Sequence, residues 1–205
     1  MRNRTYYIGV DLGKSHDHTA IVIVERVEAD VYNLQREVLR LDLRYAERVA
    51  LGTPYTVVTE RIRRIVADLN RWGQCELVVD ASGVGEPVMD MLRGSSMGCS
   101  VIAVKITGGE KATRSGNEWH VPKGDLIAAV QMVLEKGQLK IARKLKETGA
   151  LVRELLDMQA TLGGNGRVRM GADGYGQHDD LVIALALACW KGRMTKKWSA
   201  AIPWG

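Results

Sequence analysis

The sequence is 205 residues long, with 29 Lys and Arg against 24 Asp and Glu, a formal net charge of +5. That length suits one sizeable domain and is short for two, and the basic excess favours a polyanionic partner over a neutral one. Its three cysteines, Cys75, Cys99 and Cys189, are far apart and lack CxxC or Cys/His spacing, so neither a disulfide framework nor a zinc site is expected and a reducing cytoplasm fits.

In chain order, the basic start Met1 to Thr5 leads straight into a strand pattern rather than a signal peptide. Tyr6 to Val10 reads as a buried strand that ends at Asp11. Thr19 to Val27 is rich in Ile and Val and reads as a second strand, and the turn chemistry of Gly13 to His18 predicts a hairpin between them. A third strand is expected within Val31 to Leu43, followed by a connection over 44–53. Thr56 to Trp72 places Val58, Ile62, Ile65, Val66 and Leu69 at helical spacing, with Arg61, Arg63, Arg64 and Arg71 on the other faces.

Glu76 to Val79 is a short strand ending at Asp80, and Ser82-Gly83-Val84-Gly85 turns into a helix through Leu92. Cys99 to Ile106 is the next strand, followed by the segment Thr107 to Trp119, rich in glycine and charge. Helices are predicted from Pro122 to Lys136 and from Leu145 to Thr161, with a short strand at Gln138 to Ile141 between them. Gly163 to Gly176 reads as a hairpin or a loop. The last helix opens at His178-Asp179-Asp180 and is apolar nearly all round to Lys191, which predicts a buried element. No apolar run approaches membrane-spanning length. Three strands followed by alternating helices and strands describe an α/β protein built on one mixed sheet.

Two acids, Asp11 and Asp80, end apolar strands, and a pair of acids opens a buried helix. In an open α/β sheet, functional groups collect at the carboxyl ends of strands. If the first and fourth strands are parallel neighbours, Asp11 and Asp80 meet there, and the last helix adds Asp179 or Asp180. Crowded carboxylates repel one another unless cations bind them, and all-oxygen donors suit Mg²⁺ or Mn²⁺. Two such ions can hydrolyse a phosphodiester. Taken singly, a strand-end Asp is often a turn former, and an Asp opening a helix is often a cap.

Four stretches, "YYIGVDLGKSHDHTAIVIV", "CELVVDASGVGEPVMDML", "HVPKGDLIAAVQMVLEKGQLKI" and "GYGQHDDLVIALALACW", resemble successive motifs of the nuclease domain of phage large terminase subunits. The resemblance runs from Tyr6 to about Trp190, and "HDDLVIALALA" is its most specific part. It implies an RNase H-like fold, also found in RuvC-type Holliday-junction resolvases, over residues 1–193, with 194–205 as a loose basic tail. It also implies an endonuclease with two divalent ions, Mg²⁺ or Mn²⁺, that cuts concatemeric DNA during genome packaging in the host cytoplasm. Asp11, Asp80, Asp179 and Asp180 match the family's metal-binding acids, and His178 would be an auxiliary group. In many relatives another acid follows three positions after the pair, where this chain has Ile183. The implied partners are double-stranded DNA, a packaging ATPase domain or chain, the portal and the small terminase subunit. A stand-alone resolvase is the first alternative, and an inactive DNA-binding remnant is another.

Gly13-Lys14-Ser15 invites a nucleotide-binding reading, but a P-loop needs a glycine five positions before Gly13, where Ile8 stands, and a helix after it. The same segment also resembles the first phosphate motif of the actin and heat-shock ATPases. Those proteins are much longer, and their adenosine motif is not evident. For DNA, the cations singled out are Lys105, Lys111, Arg114, Lys123, Arg167 and Arg169, with a further basic stretch of Lys136, Lys140, Arg143, Lys144 and Lys146. Contacts from these to phosphates would be sensitive to salt and largely independent of sequence.

Overall fold

The computed structural model describes residues 4–13, 17–29, 38–162, 168–171 and 179–194. The first three strands, β1 (Thr5–Asp11), β2 (Ala20–Ala29) and β3 (Val38–Arg48), form an antiparallel meander. After α1 (Tyr55–Leu69), β4 (Gln74–Asp80) returns to lie parallel to β1 on its other side. Then follow α2 (Glu86–Gly94), β5 (Ser100–Thr107), β6 (Thr113–Ser115), β7 (Glu118–Pro122), α3 (Lys123–Glu135) and β8 (Leu139–Ile141). The chain continues through α4 (Thr148–Asp157), β9 (Gln159–Leu162), β10 (Val168–Gly171) and α5 (Asp180–Arg193). The main sheet has eight strands in the order β6-β7-β5-β4-β1-β2-β3-β8, and β9 and β10 pair separately.

Helices cover both faces, and the alternation along β1 assigns its residues between them. Tyr6, Ile8 and Val10 pack with Val58, Ile62 and Val66 of α1 and Met89 and Leu92 of α2. Tyr7 belongs to the other face, with α3, α4 and α5. Asp11, two pleats on from Tyr7, shares its side. On β4, Leu77 and Val79 pack under α1 and α2 while Val78 packs under α5, so Asp80 lies on the same face as Asp11.

The last helix is buried from Asp180 to Trp190, as its unbroken apolar sequence requires. Its close seat on the sheet depends on small residues. A Cβ built on Gly9 would lie 1.9 Å from the Ala184 carbonyl oxygen and 3.0 Å from the Ala188 amide nitrogen. One built on Gly192 would lie 3.1 Å from the Tyr7 ring. Residues 180, 184, 188 and 192 form one i, i+4 line on α5. This line runs antiparallel to Tyr7, Gly9 and Asp11, with Gly192 against Tyr7 and Ala184 and Ala188 against Gly9. Four helical residues rise about 6 Å and two strand residues about 7 Å, so one further step brings Asp180 towards Asp11.

Two expectations are corrected, for the third strand and for the helix from Leu145. The third strand runs on to Arg48, through half of the expected connection, because β3 pairs with β2 as far as Ala20 opposite Arg48, with a register shift at Ile23/Val24. Residues 31–37 of the expected strand lie outside the described residues. The segment after β5, rich in glycine and charge, carries a hairpin of β6 and β7 across Gly116, whose φ of +59° suits glycine. The helix expected to reach Thr161 ends at Asp157, and Gln159–Leu162 pairs antiparallel with Val168–Gly171. That pairing gives the glycine-rich segment a hairpin's strands, while 163–167 and 172–178 lie outside the described residues.

Candidate active site

The carboxyl ends of β1 and β4 meet in register, with Asp11 directly opposite Asp80 in the parallel pair. Neighbouring strands are about 4.8 Å apart, so the two carboxylates are immediate neighbours on the α5 face. The amino end of α5 arrives beside them with Asp179 at its N-cap and Asp180 in its first turn. Strand β7 runs parallel to β5, which runs parallel to β4. Lys123, the first residue after β7, therefore emerges at the same end of the sheet.

Each acid has a different setting. Burial pushes the Asp11 carboxyl up to about 8, and the charges of Asp80, Asp180 and Asp179 add to the effect, in that order; Lys123 opposes it. Asp80 is also raised, again first by burial and to a smaller extent by Asp179, against its hydrogen bonds to Ser82 and the charge of Lys123. Asp180 therefore bears on the β1 acid, and Asp179 bears on both strand acids. The Asp179 Oδ2 accepts a 2.8 Å hydrogen bond from the Lys123 ammonium. Asp180 is buried, and its Oδ2 lies 3.7 Å from the Arg48 Nε.

Asp179 makes no side-chain cap to α5. A residue the sequence did not single out does that work. Glu154 of α4 accepts the Val182 amide at 2.9 Å and pairs through its other oxygen with Arg48 of β3. Its carboxyl is raised to about 7 by burial, against the Val182 hydrogen bond and the Arg48 charge. Glu154 and Arg48 thus fasten the helix end that carries the acid pair, and the pair is left free of capping. No local signal distinguishes Glu154 from the other acids of an amphipathic helix.

The site's donor set fits a hard divalent cation. It is all carboxylate oxygen, and one carboxyl is held protonated at neutral pH by burial and by like charges that a cation would neutralise. Among the described residues no three side chains are already drawn together as a metal cage, and Asp179 is turned to Lys123.

The cations singled out for DNA scatter. Lys105 shares the α1/α2 face with Ala103, away from the acids, and pairs with Glu118 at 3.0 Å. Arg114 lies over the Trp119 ring at 5.6 Å and donates to the Gly116 carbonyl. Lys111 is exposed. Among the described ones, Lys123 is the one that reaches the acids. His178 and Arg167 lie outside the described residues, as does the side chain of Arg169. Gly13 leads into the β2 hairpin rather than a helix, as expected of a segment that is not a P-loop.

The profile of the Terminase RNaseH-like domain family matches residues 8–191. The large terminase subunit of Thermus virus P23-45 is 24% identical over 183 residues, covering 89% of this chain and 31% of that protein. The large terminase nuclease from thermophilic phage G20c, solved with bound magnesium, superposes with a TM-score of 0.61 at 24% identity, over 91% of this chain and 80% of that one. The nuclease domain of the large terminase subunit gp2 of bacterial virus Sf6 gives 0.55 at 13% identity, over 91% and 87%. The fold is therefore RNase H-like, and the chain spans about a third of the length of the curated relatives it matches.

Proposed function

We propose, on the premise that the chain belongs to the terminase RNaseH-like domain family, that it is a metal-dependent DNA endonuclease acting as the nuclease of a large terminase. The observation that carries this reading is the convergence of Asp11, Asp80, Asp179 and Asp180 at one end of the sheet, where burial and like charge hold the Asp11 pKa at about 8.

Two divalent ions, Mg²⁺ or Mn²⁺, would be held by these four acids. When bound they supply positive charge at a scissile phosphate and lower the pKa of an attacking water. The chain's own residues do the rest. Asp11 gives up its proton to make room for a cation. Glu154 and Arg48 hold the start of α5 so that Asp179 and Asp180 stay beside the strand acids. Lys123 adds a cation at the edge of the cluster, of the sign that attracts phosphate. His178 is assigned as an auxiliary group. The substrate is double-stranded DNA, cut as a concatemer in the host cytoplasm. The partners are a packaging ATPase domain or chain, the portal and the small terminase subunit.

Supercoiled plasmid tests the reading. It is expected to be nicked and linearised with Mn²⁺ or Mg²⁺ and left intact in EDTA, with Asp80→Asn inactive in both metals. Cleavage that persists in EDTA, or none by folded protein in either metal, would overturn it.

The DNA track is assigned to the far edge of the sheet. The arginines of α1 are already paired with acids: Arg61 with Glu47, Arg63 and Arg64 with Glu60. Lys136, Lys140, Arg143 and Lys144 are exposed and, among the described residues, face no acid in an ion pair. Lys140 registers through Asp42 and Glu25 with Tyr6, which puts it about 20 Å from Asp11, three strands across and five residues back, and on the α1/α2 face with Tyr6, so the track passes around the β8 edge to reach the acids. From there the chain runs parallel to β3 towards the acid end. Replacing all four by Gln is expected to make duplex binding in EDTA less sensitive to salt, the log–log slope falling by about 0.9 for each phosphate no longer neutralised. Arg64→Gln should leave it unchanged. An equal slope in both variants and the parent would remove the track.

A further inference from the structure

The turn after β4 contains a residue to which nothing so far gives a role. Ser82 is exposed, yet its hydroxyl has two partners. It donates to Asp80 Oδ1 at 2.5 Å and accepts the Ile106 amide of β5 at 2.6 Å. The Ser82 amide also donates to Asp80 Oδ1, at 2.8 Å.

The amide bond alone is an ordinary Asx turn, which any Asp ending a strand can make. The hydroxyl is different. A serine oxygen has one proton and two lone pairs. Ile106 lies 24 residues on and fixes which way that oxygen is approached. With the amide entering from β5, the hydroxyl proton is left to Asp80. A carboxylate oxygen accepts about two hydrogen bonds. Ser82 supplies both to Oδ1, and Oδ2 accepts none among the described residues.

The geometry points to Ser82 as a positioning residue that makes Asp80 a one-oxygen ligand, with Oδ1 clamped to the β4 turn and β5 and Oδ2 presented to a divalent cation. This rests on the reading of Asp80 as a metal ligand. Hydrogen bonds of this kind orient a ligating carboxylate and govern its affinity for the metal. Threonine carries the same hydroxyl, and at an exposed position it is the variant chosen to keep both hydroxyl bonds.

The test uses calorimetric titration of Mn²⁺ into the whole chain without DNA, for the parent, Ser82→Ala and Ser82→Thr. Melting curves in EDTA accompany it. Ser82→Ala is expected to weaken Mn²⁺ binding about 10- to 100-fold, and Ser82→Thr to stay close to the parent. In plasmid cleavage the alanine variant should need more Mn²⁺ for half-maximal rate and approach the parent rate at saturation. If Ser82→Ala melts earlier in EDTA but binds Mn²⁺ as the parent does, the hydroxyl merely ties β4 to β5 and the proposal is wrong. If threonine fails to rescue, the hydroxyl is not what matters and the proposal is again wrong. A parent that takes up no Mn²⁺ overturns the metal reading itself, and the proposal with it.

Discussion

Asp11→Asn is expected to abolish plasmid cleavage, by about a thousandfold or more, and at the same time to make the metal-free protein more stable at pH 8. The activity loss follows from where Asp11 sits. It stands opposite Asp80 on the neighbouring strand and feels Asp180 and Asp179 from α5, so removing its charge weakens the site for any dication. The stability gain has a definite sign. The Asp11 pKa is raised from the ordinary 3.8 to about 8 in the folded chain. Below 3.8 both states hold the proton and the group contributes nothing differential. Between 3.8 and about 8 the folded state keeps a proton that the unfolded state has lost, so stability falls as pH rises. Above about 8 the full cost of the buried charge is present. A neutral asparagine carries no such cost. In EDTA the melting temperature of the parent should decline from pH 5 to pH 8 more steeply than that of the variant. Mn²⁺ should raise the parent's melting temperature at pH 8 and the variant's far less. Identical pH slopes would mean that Asp11 is not a strained carboxylate.

Gly9→Ala is expected to cost about 3 kcal/mol, lowering the melting temperature by roughly 6–12 °C for a chain of this size. Its Cβ would lie 1.9 Å from the Ala184 carbonyl oxygen and 2.9 Å from the Ala184 carbonyl carbon, with the Ala188 amide at 3.0 Å. These are backbone atoms, so no rotamer change relieves them. Helix α5 must lift off β1, and its start carries Asp179 and Asp180. Mn²⁺ binding should therefore weaken along with stability, although Gly9 touches no ligand. Gly94→Ala is the control. Its Cβ meets nothing within 4 Å, and a helical alanine in place of glycine should be neutral or stabilising by about 0.5–1 kcal/mol. Equal melting temperatures for parent and Gly9→Ala would show that α5 is not seated as described.

The acid behind the first effect is one that the sequence already marks, and the fold class was legible for the same reason. Apolar runs that stop at an acid, helices with one apolar stripe and a final helix apolar on every side are local patterns. Burial of those patterns leaves few architectures besides a sheet covered on both faces. Asp11, Asp80, Asp179 and Asp180 were each visible as acids at the ends of elements, where a change from an apolar run to a charge stands out in the sequence. Strand ends that depend on pairing were harder to see. β3 continues to Arg48 because β2 supplies partners, and the short β6 and β7 exist because β5 offers an edge.

The sequence by itself determined the periodicity of the elements, the buried last helix, the four acids and the excess of positive charge, since each is written in neighbouring residues. Only the tertiary structure decided what those residues meet. The register of β1 on β4 sets Asp11 against Asp80, which is far along the chain from it. A line of small residues on α5 brings Asp180 towards β1, and Asp179 turns to Lys123. Glu154 caps the helix from α4 and is itself held by Arg48 of β3, and Ser82 holds Asp80 through Ile106. The α1 arginines are neutralised, while the cations beside β8 face no acid among the described residues. In every case the deciding quantity is a distance between segments far apart in the chain. Such distances are fixed by strand register and close packing, which no window of sequence contains.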